Sequence, residues 1–369
     1  MRLLFIIFIF SCNYSFTQDY NQIDSLVEHG YYYEADSVLK TNSYKNSNSH
    51  LLPYYKGRCL LEQDNIIGAK SFFDKAISIK KLHKKSRYYN AYCLYLFDDY
   101  KNSFLQLNKL VKEYPNYCDA YFLLGIIEYQ GINIYDKAVE YFYKALENCN
   151  DEKAEQILPY LGLSFEELEE YEKAIYVYND LLELNPEHIL GLEYAGILKT
   201  EVGYFDEAIE HLNNYTQQDS TNKNIYATLA YAYTAKENFT MAINAYHQAL
   251  KIDSLDSDIL FNKATTYVSA GKYLQAINDF SKVIELNLND ADIYFNRANA
   301  YYALEDYKNC IKDLTNYLAL NPDDTEAYLN RGFAKYYNKD KNGACADWNN
   351  LIRLGDKQKW KEVKVYCEN

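Results

Sequence analysis

Residues 226–250 read YATLAYAYTAKENFTMAINAYHQAL. Two apolar stripes run through this stretch, Tyr226-Leu229-Ala230-Tyr233 and Ala242-Ile243-Tyr246-Ala249-Leu250. Spacing by threes and fours is the mark of an amphipathic helix, so the stretch predicts a pair of antiparallel helices. Small Ala230 and Ala242 let the two axes approach closely. Tyr246, four positions after Ala242, fills the space beside them and keeps the packing dense.

The pattern recurs along the chain. A small residue stands at Ala35, Ala69, Ser103, Ala138, Ala174, Ala208, Ala242, Ala276, Cys310 and Ala344, in steps of 34, 34, 35, 36 and then 34 five times. Twelve residues earlier comes a second small residue: Gly57, Ala91, Gly162, Gly196, Ala230, Ala264, Ala298 or Gly332. Gly125 is thirteen earlier, because Gly131 to Ile134 carries one extra residue. Four residues later comes a large one, such as Phe73, Phe142, Tyr178, Phe280 or Trp348. Pro115, Pro186 and Pro322 close three units, since proline cannot extend a helix. A fixed period of this size means stacked supersecondary units.

These residues resemble the tetratricopeptide repeat (TPR) family over nearly the whole chain. The resemblance implies an all-α fold, a right-handed α-solenoid superhelix of helix–turn–helix repeats. First helices would line its concave face and second helices the outside. About ten repeats are expected over residues 19–356. The last one, Gly343 to Trp348 with Leu354-Gly355-Asp356, resembles the closing repeat of secreted bacterial TPR proteins. Residues 357–369 read as a capping helix, with Trp360, Val363 and Tyr366 facing inward and Lys357, Lys359, Lys361 and Lys364 facing water. A solenoid needs such a cap because its last apolar face has no neighbour.

Met1-Arg2 is followed by an apolar run from Leu3 to Phe10. That run is too short to span a bilayer and fits a secretory signal peptide, so residues 1–18 are expected to be removed and the chain exported to a periplasmic or extracellular space. The alternative is a lipoprotein: Ile9-Phe10-Ser11-Cys12 resembles a lipidation box, which would anchor Cys12 to the envelope. No other stretch approaches 18 uncharged apolar residues, so no transmembrane segment is expected. The net charge of −14 disfavours a nucleic-acid partner, and five prolines and thirteen glycines are too few for a turn-rich β protein.

No G-x-S-x-G, H-E-x-x-H, phosphate-binding glycine loop or C-x-x-C occurs, and the six histidines are scattered. Neither an enzyme nor a metal or other cofactor is expected. Two cysteine pairs suit an exported chain. Cys118 begins the first helix of repeat four and Cys149 ends its second. Cys345 lies on the second helix of repeat ten, and Cys367 in the cap packed against it. The alternative for each is a small buried apolar residue. Cys59, Cys93 and Cys310 read as core thiols.

Family position sketches the groove. Repeats two to four offer Tyr54, Tyr55, Tyr88, Tyr89, Tyr92, Tyr95, Phe122 and Tyr129 inward, with carboxylates Glu62 and Asp119 and the cations Arg58 and Lys85. Asn262, Asn296 and Asn330 recur every 34 residues and resemble asparagines with which some TPR grooves bind peptide backbone. The neighbouring Asp258, Asp292 and Glu326 argue against a carboxylate clamp there. An aromatic, acidic groove suits an extended peptide or protein, and a basic one in particular. The function read from the sequence is therefore a non-catalytic exported scaffold binding such a partner. The alternative is a carbohydrate- or cell-wall-binding envelope protein, because stacked tyrosines also suit sugar rings.

Overall fold

The computed structural model describes residues 16–40, 49–286 and 290–368. Residues 1–15, including the leader-like run and Cys12, lie outside them. The fold is an all-α solenoid of paired antiparallel helices with a distal cap, and it divides into two compact units at Leu184 and Asn185.

The first unit contains α1 (Phe16–Glu28) with α2 (Tyr32–Leu39), α3 (Leu51–Glu62) with α4 (Ile66–Ile79), and α5 (Lys84–Leu96) with α6 (Tyr100–Glu113). Next come α7 (Cys118–Ile126) with α8 (Tyr135–Leu146), and α9 (Asp151–Glu167) with α10 (Tyr171–Leu184). The extra residue between Gly131 and Ile134 is absorbed by a π-helical turn, Ile127–Ile132, that prolongs α7.

The second unit contains α11 (Ile189–Glu201) with α12 (Phe205–Gln218), α13 (Lys223–Ala235) with α14 (Phe239–Ile252), and α15 (Ser257–Ser269) with α16 (Tyr273–Glu285). It continues with α17 (Ala291–Ala303) and α18 (Tyr307–Leu320), then α19 (Thr325–Tyr337) and α20 (Lys341–Arg353). The cap is α21 (Lys357–Val363) and α22 (Val365–Glu368), and Lys364 between them keeps helical dihedrals, φ −57° and ψ −32°. Val363 is buried, and the Tyr366 ring lies 5.2 Å from Tyr336 and 5.8 Å from Trp348.

The small and large positions of the period meet inside each pair. A methyl added to Gly57 would lie 2.6 Å from the Phe73 ring, so α3 and α4 can approach only because that residue is glycine. Gly332 faces Trp348 in the same way. Ala35, Ala69, Ala138, Ala174, Ala208, Ala242, Ala276 and Ala344 are fully buried, as is Ser103, whose hydroxyl donates to the Ala91 carbonyl at 2.7 Å.

The turn inside each pair is also periodic. Gly30, Asp64, Asp98, Asn133, Glu169, Gly203, Glu237, Gly271, Glu305 and Lys339 all have positive φ, between 58° and 90°. Each ends a first helix in the left-handed conformation, and the next N–H reaches back to a carbonyl of the last helical turn, as from Asn238 to Tyr233 at 2.9 Å. Asparagine or aspartate then caps several second helices: Asn65, Asp99, Asn238, Asp306 and Asp340 each accept from the backbone N–H three residues on.

Two disulfides are present. Cys118 and Cys149, with Cα atoms 5.5 Å apart, join the start of α7 to the turn before α9. Cys345 and Cys367, 5.8 Å apart, join α20 to the cap. Cys59, Cys93 and Cys310 are buried free thiols.

Candidate partner-binding site

The first helices of the first unit enclose a cavity of about 350 Å³. Tyr88, Tyr92 and Tyr95 stand at spacings of four and three, which puts them on one face of α5. Their rings form a stacked row, with centroids 6.3 Å apart from Tyr88 to Tyr92 and 6.0 Å from Tyr92 to Tyr95. Tyr89, Phe122 of α7 and Tyr160 of α9 complete the aromatic lining, with Leu61, Leu123 and Ile126 between them. Burial pushes the phenols of Tyr88, Tyr89, Tyr92 and Tyr95 above their ordinary range, so each remains an O–H donor.

Three charged side chains reach this space: Arg58, Lys153 and Glu62. Arg58 of α3 lies over the Tyr89 ring at 4.3 Å and donates to the hydroxyls of Tyr54 at 3.3 Å and Tyr32 at 3.1 Å. Lys153 of α9 sits 5.0 Å over Phe122 and 3.3 Å from a carboxylate oxygen of Asp119. Glu62 is exposed. The acidic character expected for the groove therefore does not hold in this cavity. Asp119 is engaged by Lys153, and cations outnumber free carboxylates.

The structure thus brings together Glu62, Tyr88, Tyr89, Tyr92, Tyr95 and Phe122, with Asp119 beside them. Tyr54 and Tyr55 belong instead to the core, only 2% and 4% exposed. The first helix pair covers them: the Tyr55 hydroxyl donates to Asp24 at 2.8 Å, and its ring stacks on Tyr20. Tyr129 sits on the π-helical turn and packs on Tyr135 and Tyr160 rather than lining the cavity. The asparagines lie in the second unit and do not act together. Asn262 is exposed, and Asn296 donates to its own helix at the Asp292 carbonyl, 2.9 Å away. Asn330 lines a smaller cavity of about 230 Å³ with Asn299, Tyr302 and Phe333.

Lys153 and Tyr160 were not singled out by the sequence. Tyr160 holds the sixth position of the fifth repeat, the place Tyr89 holds in the third, and that equivalence was a usable signal. Lys153 precedes the regular repeat window. It reaches the cavity because α9 is long, 17 residues, and begins a turn early at Asp151.

Family models described as tetratricopeptide repeat match residues 160–188, 224–254 and 291–324, and one described as TPR repeat matches 264–305. Those segments are tetratricopeptide repeats, and the other helix pairs keep the same period. Among solved structures, a TPR protein from Parabacteroides merdae is 18% identical, covering 68% of this chain and 99% of its own at a TM-score of 0.47. YrrB, described as a TPR protein with an unusual peptide-binding site, is 22% identical over 51% and 94% with a TM-score of 0.45. PilF of Pseudomonas aeruginosa is 17% identical over 58% and 98% with a TM-score of 0.44. Likenesses this loose carry nothing about what this TPR chain binds. No curated protein matches the sequence significantly.

TPR arrays are non-catalytic scaffolds. Among the described residues no cluster of three His, Cys, Asp or Glu side chains could hold a metal ion. No described helix is long and apolar enough to cross a membrane.

Proposed function

We infer that this TPR protein is an exported scaffold that holds an extended segment of a partner protein in the aromatic cavity of its first unit. The observation that carries the reading is the row of Tyr88, Tyr92 and Tyr95, three large rings lining a cavity rather than filling a core. Such rings give contact area at low entropy cost, since each has two torsions to fix. Export is supported by the leader-like run at Leu3–Phe10 and by two disulfides, which persist in oxidising compartments. A basic partner has less support, because Glu62 is the cavity's one carboxylate. A glycan is the second reading, favoured by the same stacked row.

The test is selection of extended peptides on the immobilised chain, followed by binding measurements on the triple variant Tyr88→Ala, Tyr92→Ala, Tyr95→Ala. Selected peptides should bind at least tenfold more weakly to the variant while its melting temperature stays within a few degrees. Retention of polysaccharide with no peptide selected would favour the second reading. Peptides that bind the variant unchanged would move the site elsewhere.

A further inference from the structure

The cavity's polar groups identify what its partner must carry, an inference that rests on the peptide reading above. We propose that the cavity seats a carboxylate of the partner on the Arg58 guanidinium.

Five arginines lie in the described residues; Arg353 is exposed and donates to the Asn350 side chain at 3.0 Å, and the other four are partly buried. Arg87 meets Glu113 at 2.6 Å, Arg297 meets Asp313 at 2.7 Å and Arg331 meets Asp347 at 2.7 Å. Arg58 is the exception. Its partners are two neutral phenols and one ring face, and among the described residues it makes no ion pair. Glu62 stands four residues on along the same helix and does not pair with it. A half-buried cation without a counter-ion has lost hydration and gained little in exchange. A guanidinium has five N–H donors in a fixed fork, and the two phenols take two of them. The ring beneath it holds the plane of the fork in place.

The rest of the cavity has the same bias. The hydroxyls of Tyr88, Tyr89 and Tyr92 donate no hydrogen bond among the described residues. Lys153 adds an ammonium that donates to the Gln156 side chain at 3.1 Å and meets Asp119 at 3.3 Å, long for an ion pair, which leaves one of its three donors open. Facing these donors there is one acceptor-only group, exposed Glu62. A sugar hydroxyl could accept from these donors but carries no charge, so it would leave the guanidinium without a counter-ion. A carboxylate accepts only, carries the missing charge and fits the guanidinium with two parallel bonds. The aromatic walls then cover the apolar stem or neighbours of that group. The carboxylate is either an Asp or Glu side chain within the segment or the segment's own C-terminus.

The experiment uses the full chain and a library of N-acetylated octapeptides, half with amidated and half with free C-termini. Selected peptides should be enriched in acids or in free C-termini, which tells the two sources apart. Replacing the selected Glu or Asp by its amide, or amidating the C-terminus, should weaken binding at least tenfold. On Arg58→Met that discrimination should shrink to about twofold, and Arg58→Lys should restore part of it. Should Arg58→Met fail to fold, acetate should displace the wild-type complex where equimolar acetamide does not. No acid preference in peptides that still need the tyrosine row would overturn this proposal alone. Acid preference undiminished in a folded Arg58→Met would also overturn it. Failure to select any peptide would overturn the peptide reading and this proposal with it.

Discussion

Two sets of first-helix cations, one in each unit, are handled in opposite ways. In the second, Lys263, Arg297 and Arg331 recur every 34 residues, and each meets an aspartate sixteen residues on: Asp279 at 3.1 Å, Asp313 at 2.7 Å and Asp347 at 2.7 Å. These aspartates are almost fully buried, and Arg297 and Arg331 also bond the hydroxyls of Ser281 and Thr315. Every cation of that ladder is neutralised by its own repeat. In the first unit, Arg58 is set among tyrosines and has no carboxylate. The difference separates structural charge from charge left available to a ligand, although both occur on first helices of the same repeat.

The largest test of that contrast is removal of one partner from each arrangement. Asp313→Ala would leave the Arg297 charge buried and unpaired, a loss of about 3–5 kcal/mol. Arg58→Met removes a desolvated charge together with one ring contact and two hydrogen bonds, so its cost should stay within about 1 kcal/mol. Urea unfolding of both variants measures this, and equal losses would break the distinction.

The disulfides sharpen it next. Cys345–Cys367 closes a span of 22 residues, worth roughly 3 kcal/mol on the chain-entropy account. Cys345→Ala should raise hydrogen exchange over residues 325–368 and leave peptide binding unchanged. Cys149→Ala should loosen the wall that carries Phe122 and Lys153 and weaken binding. Binding that fell with the first variant and not the second would place the site in the wrong unit.

Acid should act on the first unit through His83. Burial holds its imidazole down at about 4, with His50, Lys80 and Lys85 adding repulsion, and its Nδ1 accepts from the Ser86 N–H as the cap of α5. The unfolded chain takes up that proton near pH 6.5 and the folded chain does not until about 4. The stabilisation is therefore complete above pH 6.5 and is lost as pH falls toward 4. Protection of residues 49–96 from hydrogen exchange, taken relative to the unfolded chain at each pH, should fall from pH 7 to pH 5, and His83→Asn, which keeps a cap, should flatten the fall. His211 of the second unit is also held down by burial and by Lys199, so global melting alone would mix the two.

The smallest effect concerns the turns. Glu169 and Glu237, one in each unit, have φ of 59° and 58°. Glycine at either should stabilise by up to about 1 kcal/mol by removing left-handed strain. Unequal shifts in melting temperature would show that the two turns are not equivalent.

The period was legible because it is written in size: Gly57 against Phe73 and Gly332 against Trp348 tolerate no larger residue, so spacing alone exposes the helix pairs. The turns were hidden because seven of their ten left-handed residues are not glycine, and an Asp, Glu or Lys there looks like any solvated residue. The ion-pair ladder was hidden too, since a search for apolar stripes passes over Lys263 and Arg297. Tyr88, Tyr92 and Tyr95 were legible from family position, and helical spacing then puts them on one face. Tyr54 and Tyr55 were misplaced because family position says which way a side chain points and not what covers it. Lys153 escaped because it lies one turn outside the regular repeat.

The hydroxyls that receive Arg297 and Arg331 have a consequence for how this molecule changes length. Ser281 and Thr315 are one period apart, as are Asp290 and Asp324, which cap α17 and α19. A chain cut by residues 291–324 would bring Arg331 against Ser281 and set Asp290 at the head of α19. The seam presents the same chemistry on both sides of the excision, so whole periods can be lost or duplicated here without inventing a new interface. A deletion that is not a whole number of periods would put a cation opposite the wrong side chain.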